Sequence, residues 1–270
     1  MDADTEKVRR RLERERVARR EAEAIAERVT GELYASKGEL QRANEELQSL
    51  NQTLRDFVAV ASHDLRGPLT SILGASSLMS ARYDELADRR RHELLDMIQR
   101  QGQHLARMIE DLLTVSKIEA GQLDIAAEVV KLRAAIELTI NDFGESAEQV
   151  HIDCDDIETM VDPEHLHRML MNYLGNAFKY GQPPVDISAH ANGEWVEIHV
   201  CDRGDGVPDE LIPRLFGKFA RGPEARDKGG SGLGLSIVQG LARANGGETW
   251  YQPNLPKGSC FVLRLPKRAA

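Results

Sequence analysis

Leucines recur at every seventh position through Leu33, Leu40, Leu47 and Leu54, within a stretch from residue 8 to residue 61 that holds no proline. Taken as heptad position a, they put Val29, Ser36, Ala43, Leu50 and Phe57 at position d. The seam runs back through Ala26, Ala22 and Leu12, interrupted by Arg19 and Glu15. An apolar repeat of this period predicts a parallel coiled coil, regular from Ala22 onward. Phe57, Ala61, Leu65, Leu69, Ile72 and Leu73 continue at helical spacing, which sets His63 in the same long helix. Periodicity fades in "SARYDELADRR" (80–90), predicting a turn. A second amphipathic helix follows with Leu94, Leu95, Ile98, Leu105, Ile109, Leu112, Leu113 and Val115, and ends at Gly121, a suitable C-cap residue. Two helices joined by a short turn and fed by a dimeric coil predict a four-helix bundle across two chains.

Beyond Gly121 the pattern changes. Short β-like runs at 150–154, 185–189, 194–202, 248–251 and 259–265 alternate with helical stretches at 132–143, 163–180 and 233–244. This predicts an α/β sandwich, one mixed sheet with helices on one face. The expected fold class is therefore multidomain: a coiled-coil helix (1–55), a helical hairpin (56–121) and an α/β domain (122–270). A glycine-rich span from Gly204 to Gly232 interrupts the last, and structureless spans of that length are usually lids or binding loops.

One defect stands out within "VASHDLRGPLTSIL" (60–73). Proline inside a helix removes a hydrogen bond and costs ~3 kcal/mol, and glycine adds ~1 kcal/mol. Gly67-Pro68 thus weakens the helix directly after the His63-Asp64 pair, where a local bend gives a second domain access to the imidazole.

Composition narrows the classes. With 41% hydrophobic and 29% charged residues, the 270-residue chain reads as a soluble protein carrying a long polar helix. A net charge of −9 makes nucleic acid and anionic membrane poor partners. No apolar run approaches the ~20 residues of a membrane span, and the charged N-terminus is no signal peptide. Cys154, Cys201 and Cys260 stand far apart, so neither a zinc site nor a disulfide is expected, and the location reads as cytoplasmic. His165 and His167, at i and i+2 of a helix, point apart and read as surface residues rather than a metal pair.

Three stretches of the α/β domain carry candidate chemistry. "MNYLGNAFKY" sets Asn172, Asn176 and Lys179 near one helix face, where an amide oxygen can ligate magnesium and a lysine can neutralise phosphate. "CDRGDGVP" ends a strand with Asp202, a carboxylate able to accept from an amino group such as adenine's; Gly204 and Gly206 let backbone approach a ligand closely. "GGSGLGLSIV" leads glycines into a helix N-terminus, a ready anion site. Singly, each could be a flexible turn or surface polarity.

Together these stretches resemble the bacterial sensor histidine kinases of two-component signalling. "SHDLRGPL" resembles the phosphoacceptor box, "MNYLGNAFKY" the N box, "CDRGDGV" and "GGSGLGLSIV" the two glycine boxes, and "LFGKFAR" the F box with Phe216 and Phe219. The likeness runs from about Asp56 to Leu265. It implies ATP and Mg²⁺ as cofactors, His63 as phosphoacceptor, Asp64 as the group that takes its proton, and Arg66 as an electrostatic helper. It further implies Asn176 on the metal, Asn172 and Lys179 near the phosphates, Tyr180 near the nucleoside and Asp202 on the adenine. Gly204 and Gly206 would shape that pocket. Gly230, Gly232, Leu233 and Gly234 would border the phosphates and lid, Phe216 and Phe219 would anchor the lid, and Arg221 would reach a phosphate. The implied partners are a second copy in a homodimer, a response-regulator receiver domain, and an upstream sensor domain or protein. The family commonly has Thr or Asn four residues after the phosphoacceptor, to position a hydrolytic water; Gly67 stands there, so weak phosphatase activity is expected. A silent adaptor with a vestigial ATP fold, and an ATPase clamp that transfers no phosphate, are the competing classes.

Overall fold

The computed structural model describes residues 64–222 and 231–268, the pair Ala61 and Ser62, and, N-terminal to these, scattered residues with a helical run at 40–45. Leu40 and Ala43 of the expected seam are helical; Leu33, Leu47 and Leu54 lie outside the described residues. The chain divides after Ala59, and the second unit, from Val60 onward, holds both the helical hairpin and the α/β domain.

Helix α1 (described over 64–82) runs on through Gly67 and the buried Pro68. Proline has no N–H, so the Asp64 carbonyl has no donor four residues on, while Ser71 Oγ donates to the Gly67 carbonyl at 3.2 Å. A 3₁₀ turn at Tyr83–Glu85 sits in the predicted turn region. Arg91 steadies it, donating to the Tyr83 carbonyl at 2.9 Å and lying 4.3 Å over the Tyr83 ring. Helix α2 (Asp88–Glu119) follows. It stops at Gly121, whose φ of 62° suits glycine, as the Gln122 N–H closes back on the Lys117 carbonyl at 2.9 Å.

The α/β domain comprises β1 (Glu128–Lys131), α3 (Leu132–Asn141), β2 (Val150–Cys154), β3 (Glu158–Val161), α4 (Pro163–Tyr180), β4 (Val185–Asn192), β5 (Trp195–Cys201), α5 (Gly234–Ala244), β6 (Glu248–Pro253) and β7 (Ser259–Pro266). The main sheet has five strands in the order β2-β4-β5-β7-β6, with only β2–β4 parallel. The single expected sheet needs correction: β1 and β3 form a separate antiparallel pair. Each has only four residues, too few for alternation to register. Val196, Ile198 and Val200 of β5 and Phe261, Leu263 and Leu265 of β7 point into the core. There they meet Leu166, Leu170, Tyr173 and Leu174 of α4 and Ile237, Val238 and Leu241 of α5. This alternation fixes the register, since a slip of one residue would turn every one of them outward.

The cysteines also need correction. Cys201 and Cys260, 59 residues apart in sequence, stand directly opposite each other on β5 and β7 and are disulfide-bonded, leaving Cys154 as the buried free thiol. Spacing along the chain does not reveal a pair that strand register creates. His165 and His167 do point apart, but both are half-buried: His165 Nδ1 lies 3.1 Å from Asn245 Nδ2, and His167 Nδ1 lies 3.1 Å from Thr139 Oγ1.

Helix α4 begins where Asp162 caps it. Its Oδ1 accepts from the Glu164 and His165 N–H groups at 3.0 and 3.1 Å, and its Oδ2 from the Ala126 N–H at 2.8 Å. Burial pushes the Asp162 pKa up, but these bonds and the His165 charge outweigh it and hold the carboxyl below its ordinary 3.8. Asp162→Ala is expected to lower unfolding free energy by about 1–3 kcal/mol, read by urea denaturation. The cap's contribution is full above pH ~4, where an unfolded Asp is already ionised, and disappears as pH falls through the depressed folded value. An equally stable variant would remove this cap as the anchor of α4.

Candidate active site

Strand β5 delivers Asp202 to the end of the sheet with only 4% of its surface exposed. Its N–H donates to the Ser259 carbonyl at 2.8 Å, and Asn254 Nδ2 donates to its carbonyl at 2.8 Å. Carboxylate Oδ1 accepts from the Gly204 N–H at 2.7 Å and the Ser259 N–H at 3.3 Å. Both of those bonds go to one oxygen, so Oδ2 is the acceptor left for a ligand. Burial drives the Asp202 pKa above its ordinary 3.8, opposed by the two N–H groups and then by the Arg203 charge. Glycine is demanded around it. A Cβ on Gly181, the C-cap of α4, would overlap the Asp202 carboxyl, and one on Gly204 would come within 2.7 Å of the Gly181 Cα. Gly206, at φ 83°, lies beside Tyr251, whose hydroxyl accepts from the Val207 N–H at 3.3 Å.

Helix α4 carries Asn172, Asn176 and Lys179 half-buried at spacings of four and three, one face of a helix. Asn172 Nδ2 donates to the Arg168 carbonyl at 2.9 Å, and its Oδ1 occupies the space a Cβ on Gly234 would need. The Lys179 ammonium lies 5.0 Å from the ring centre of the exposed Tyr180. Gly234 opens α5 and Leu233 before it is buried. Gly232, at φ 67°, packs so closely on Phe219 that a Cβ would come within 2.9 Å of the Phe219 Cα. Phe219 itself has φ 58°, a conformation uncommon outside glycine. Phe216 meets Phe261 edge-on at 6.5 Å. His63 and Gly230 lie outside the described residues.

The α/β domain is seated on the hairpin by polar contacts that sequence reading missed. Arg168 of α4 donates to Asp111 Oδ1 at 2.9 Å and to Thr114 Oγ1 at 2.6 Å, both on α2. Ser231, at the start of the second glycine segment, also bonds the Asp111 carboxyl; burial still leaves the Asp111 pKa raised. Ile118 of α2 fills the space beside Gly240, and Lys218 pairs with Glu119. On α1, Asp64 Oδ2 lies 3.7 Å from Arg221 Nη1, which brings Arg221 to the carboxylate beside position 63. His104 of α2 is half-buried, its pKa lowered by burial and by the Arg107 and Lys179 charges. Arg168 lies on the face of α4 away from its buried apolar residues, so nothing in the sequence set it apart from an ordinary surface charge; Ser259, Asn254 and Gly181 left no signal either, because only the fold brings them to Asp202. Among the described residues no group of three or more His, Cys, Asp or Glu side chains is arranged to hold a metal.

Comparison with known proteins agrees with this layout. Residues 53–121 match the His Kinase A (phospho-acceptor) domain, and residues 161–269 match the histidine kinase-, DNA gyrase B- and HSP90-like ATPase family. Histidine protein kinase DivJ of Caulobacter vibrioides is 31% identical over 94% of this chain and 44% of its own length. Circadian input-output histidine kinase CikA of Synechococcus elongatus is 32% identical over 81% of this chain and 30% of its own. The chain thus spans less than half the length of these curated relatives. The solved structure of Acinetobacter baumannii histidine kinase AdeS shares the fold, with a TM-score of 0.62 at 23% identity over 77% of this chain and 98% of that one.

Hydrogen bonds to charged partners are worth about 1.5–3 kcal/mol, so the Arg168 contacts are expected to hold α4 on α2. Arg168→Met is expected to speed amide exchange around Asp111 and Thr114 while β5 and β7 stay protected, and Asp111→Asn is expected to add little in that background. Unchanged exchange in α2 would show that the contacts hold nothing.

Proposed function

The chain belongs to the two-component sensor histidine kinases, and we propose that it is an ATP-dependent protein-histidine kinase that phosphorylates His63 and passes the phosphoryl group to a response-regulator aspartate. The observation that carries this reading is the Arg221–Asp64 ion pair, which joins the segment after Phe219 to the residue beside His63. A nucleotide domain must come this near the imidazole for direct transfer. The surroundings of Asp202 support an adenine amino group as its partner: a buried carboxylate has one oxygen bonded by N–H groups, beside Gly181 and Gly204, where no Cβ has room.

Bound ATP would supply the γ-phosphoryl group, and Asn176 would hold a Mg²⁺ ion that offsets its charge. The residues of the chain do the rest. Asp202 orients the adenine amino group, Gly204 and Gly206 let backbone line the base, and Tyr180 flanks the nucleoside. Asn172 and Lys179 hold the phosphates, and Gly230, Gly232, Leu233 and Gly234 leave room for them. The unprotonated ring nitrogen of His63 is the nucleophile; Asp64 takes the proton from the other nitrogen and fixes the tautomer. Arg66 adds positive charge nearby.

Exposed Leu69, Leu73, Leu95, Ile109 and Leu113 on the hairpin support a homodimer in which two hairpins form a four-helix bundle. The 1–55 helix would carry the signal from a sensor domain or protein, 56–121 would dimerise and accept phosphate, and 122–270 would bind ATP. None of the described helices is long and apolar enough to cross a membrane.

Incubation with γ-labelled ATP and Mg²⁺ is expected to give an acid-labile, base-stable label that His63→Gln abolishes. Adding a cognate receiver domain should move the label onto its aspartate. With Gly67 in place of a water-positioning side chain, that aspartate should then lose phosphate only a little faster than it does alone. Phosphate release without covalent label would contradict the kinase assignment, and rapid His63-independent dephosphorylation would contradict the role given to Gly67.

A further inference from the structure

We propose that Cys201 and Cys260 form a reversible oxidation site whose disulfide state tightens nucleotide binding at Asp202. The proposal rests on the assignment of Asp202 to the nucleotide. The two residues face each other across β5 and β7 with Cα atoms 4.0 Å apart. The next rung is the one that builds the pocket, where Asp202 and Ser259 exchange the bonds described above. Beyond that rung the ladder ends: β5 leads into the Gly204–Gly206 loop, and Gly258, just before β7, packs against the Asp202 backbone. The end of a ladder is where opening is easiest. A covalent tie one residue before Asp202 restricts that opening and pre-organises the carboxylate, which strengthens binding by lowering its ordering cost.

Access and chemistry both suit the pair. Val196, Ile198 and Val200 face the core, so Glu197, His199 and Cys201 share the opposite face of the sheet. Cys201 is half-buried there and Cys260 only 3% exposed, so Cys201 is the sulfur an oxidant meets first. His199 Nδ1 stands 4.0 Å from Cys260 Sγ, placed to take its proton. With hydrogen peroxide as oxidant, the Cys201 thiol gives up its proton as its sulfur attacks one peroxide oxygen; the O–O bond breaks, the sulfur keeps one OH as a sulfenic acid, and the other leaves with that proton as water. The Cys260 sulfur, its proton passed to His199, attacks the Cys201 sulfur; the S–S bond forms, the S–O bond breaks, and the hydroxyl leaves with that proton as water. Two thiols and one peroxide thus give one disulfide and two waters. A dithiol reductant reverses the step by two exchanges, becoming a disulfide itself.

The test uses the full chain, reduced with dithiothreitol or oxidised with hydrogen peroxide, and reads thiol count, linked peptides and ATP affinity. Oxidation is expected to lower the free thiols from three to one (Cys154), to yield a Cys201–Cys260 linked peptide and to tighten ATP binding roughly three- to tenfold. The C201S/C260S double variant should bind as the reduced protein does and ignore peroxide. Cys201→Ala, altering only the less buried partner, should behave the same and serves if the double variant does not fold. No linked peptide, equal affinity in both redox forms, or a cysteine variant that still responds would overturn the proposal while leaving the kinase reading intact. ATP binding by neither form would overturn both.

Discussion

Everything in the α/β domain converges on one costly constraint, a carboxylate that must stay ionised while almost wholly removed from water. Burial works against the charge on Asp202, and the fold answers with N–H groups from two segments on one oxygen. That arrangement needs β5 and β7 adjacent in register, a loop that doubles back at Gly204, and a helix that ends on a residue without a side chain at Gly181. The register of β5 and β7, the end of α4 at Gly181 and the turn at Gly204 all serve that single buried charge. Polar groups held this way are seldom the most stable choice for a core, and their retention is a mark of function.

The second organising element is polar seating of one domain on another. Arg168 grips α2 through Asp111 and Thr114, while Arg221 reaches Asp64 on α1. These charge-assisted bonds are directional and exchange readily for water, and they flank an apolar patch where Leu112, Val115 and Ile118 of α2 join the core of the α/β domain. Under the proposed transfer to His63, such a contact would have to form and release. The weakened helix at Gly67-Pro68 lies on the same side of the design, since a helix missing a hydrogen bond there yields more easily.

Legibility in the sequence tracked locality. Helix α4 was readable residue for residue because its determinants are local: Asp162 before Pro163 at the start, and an apolar face throughout. The strands of the main sheet were found by alternation, whereas β1 and β3 were too short to show it. Asp202 was visible as a carboxylate ending a strand before two glycines. Ser259, Asn254 and Gly181, which hold it, were not, because each reaches it through the fold rather than through spacing. The same reason hid the cysteine pair and the Arg168–Asp111 contact, 57 residues apart.

Calorimetric titration of ATP into the Asp202→Asn protein, beside the unaltered chain, tests the account most directly. The raised Asp202 pKa means the ionised carboxylate costs folding free energy at neutral pH, and a neutral isostere removes that cost. The melting temperature should therefore hold or rise while ATP affinity falls about tenfold or more. Undiminished affinity in a well-folded Asp202→Asn protein would contradict the account.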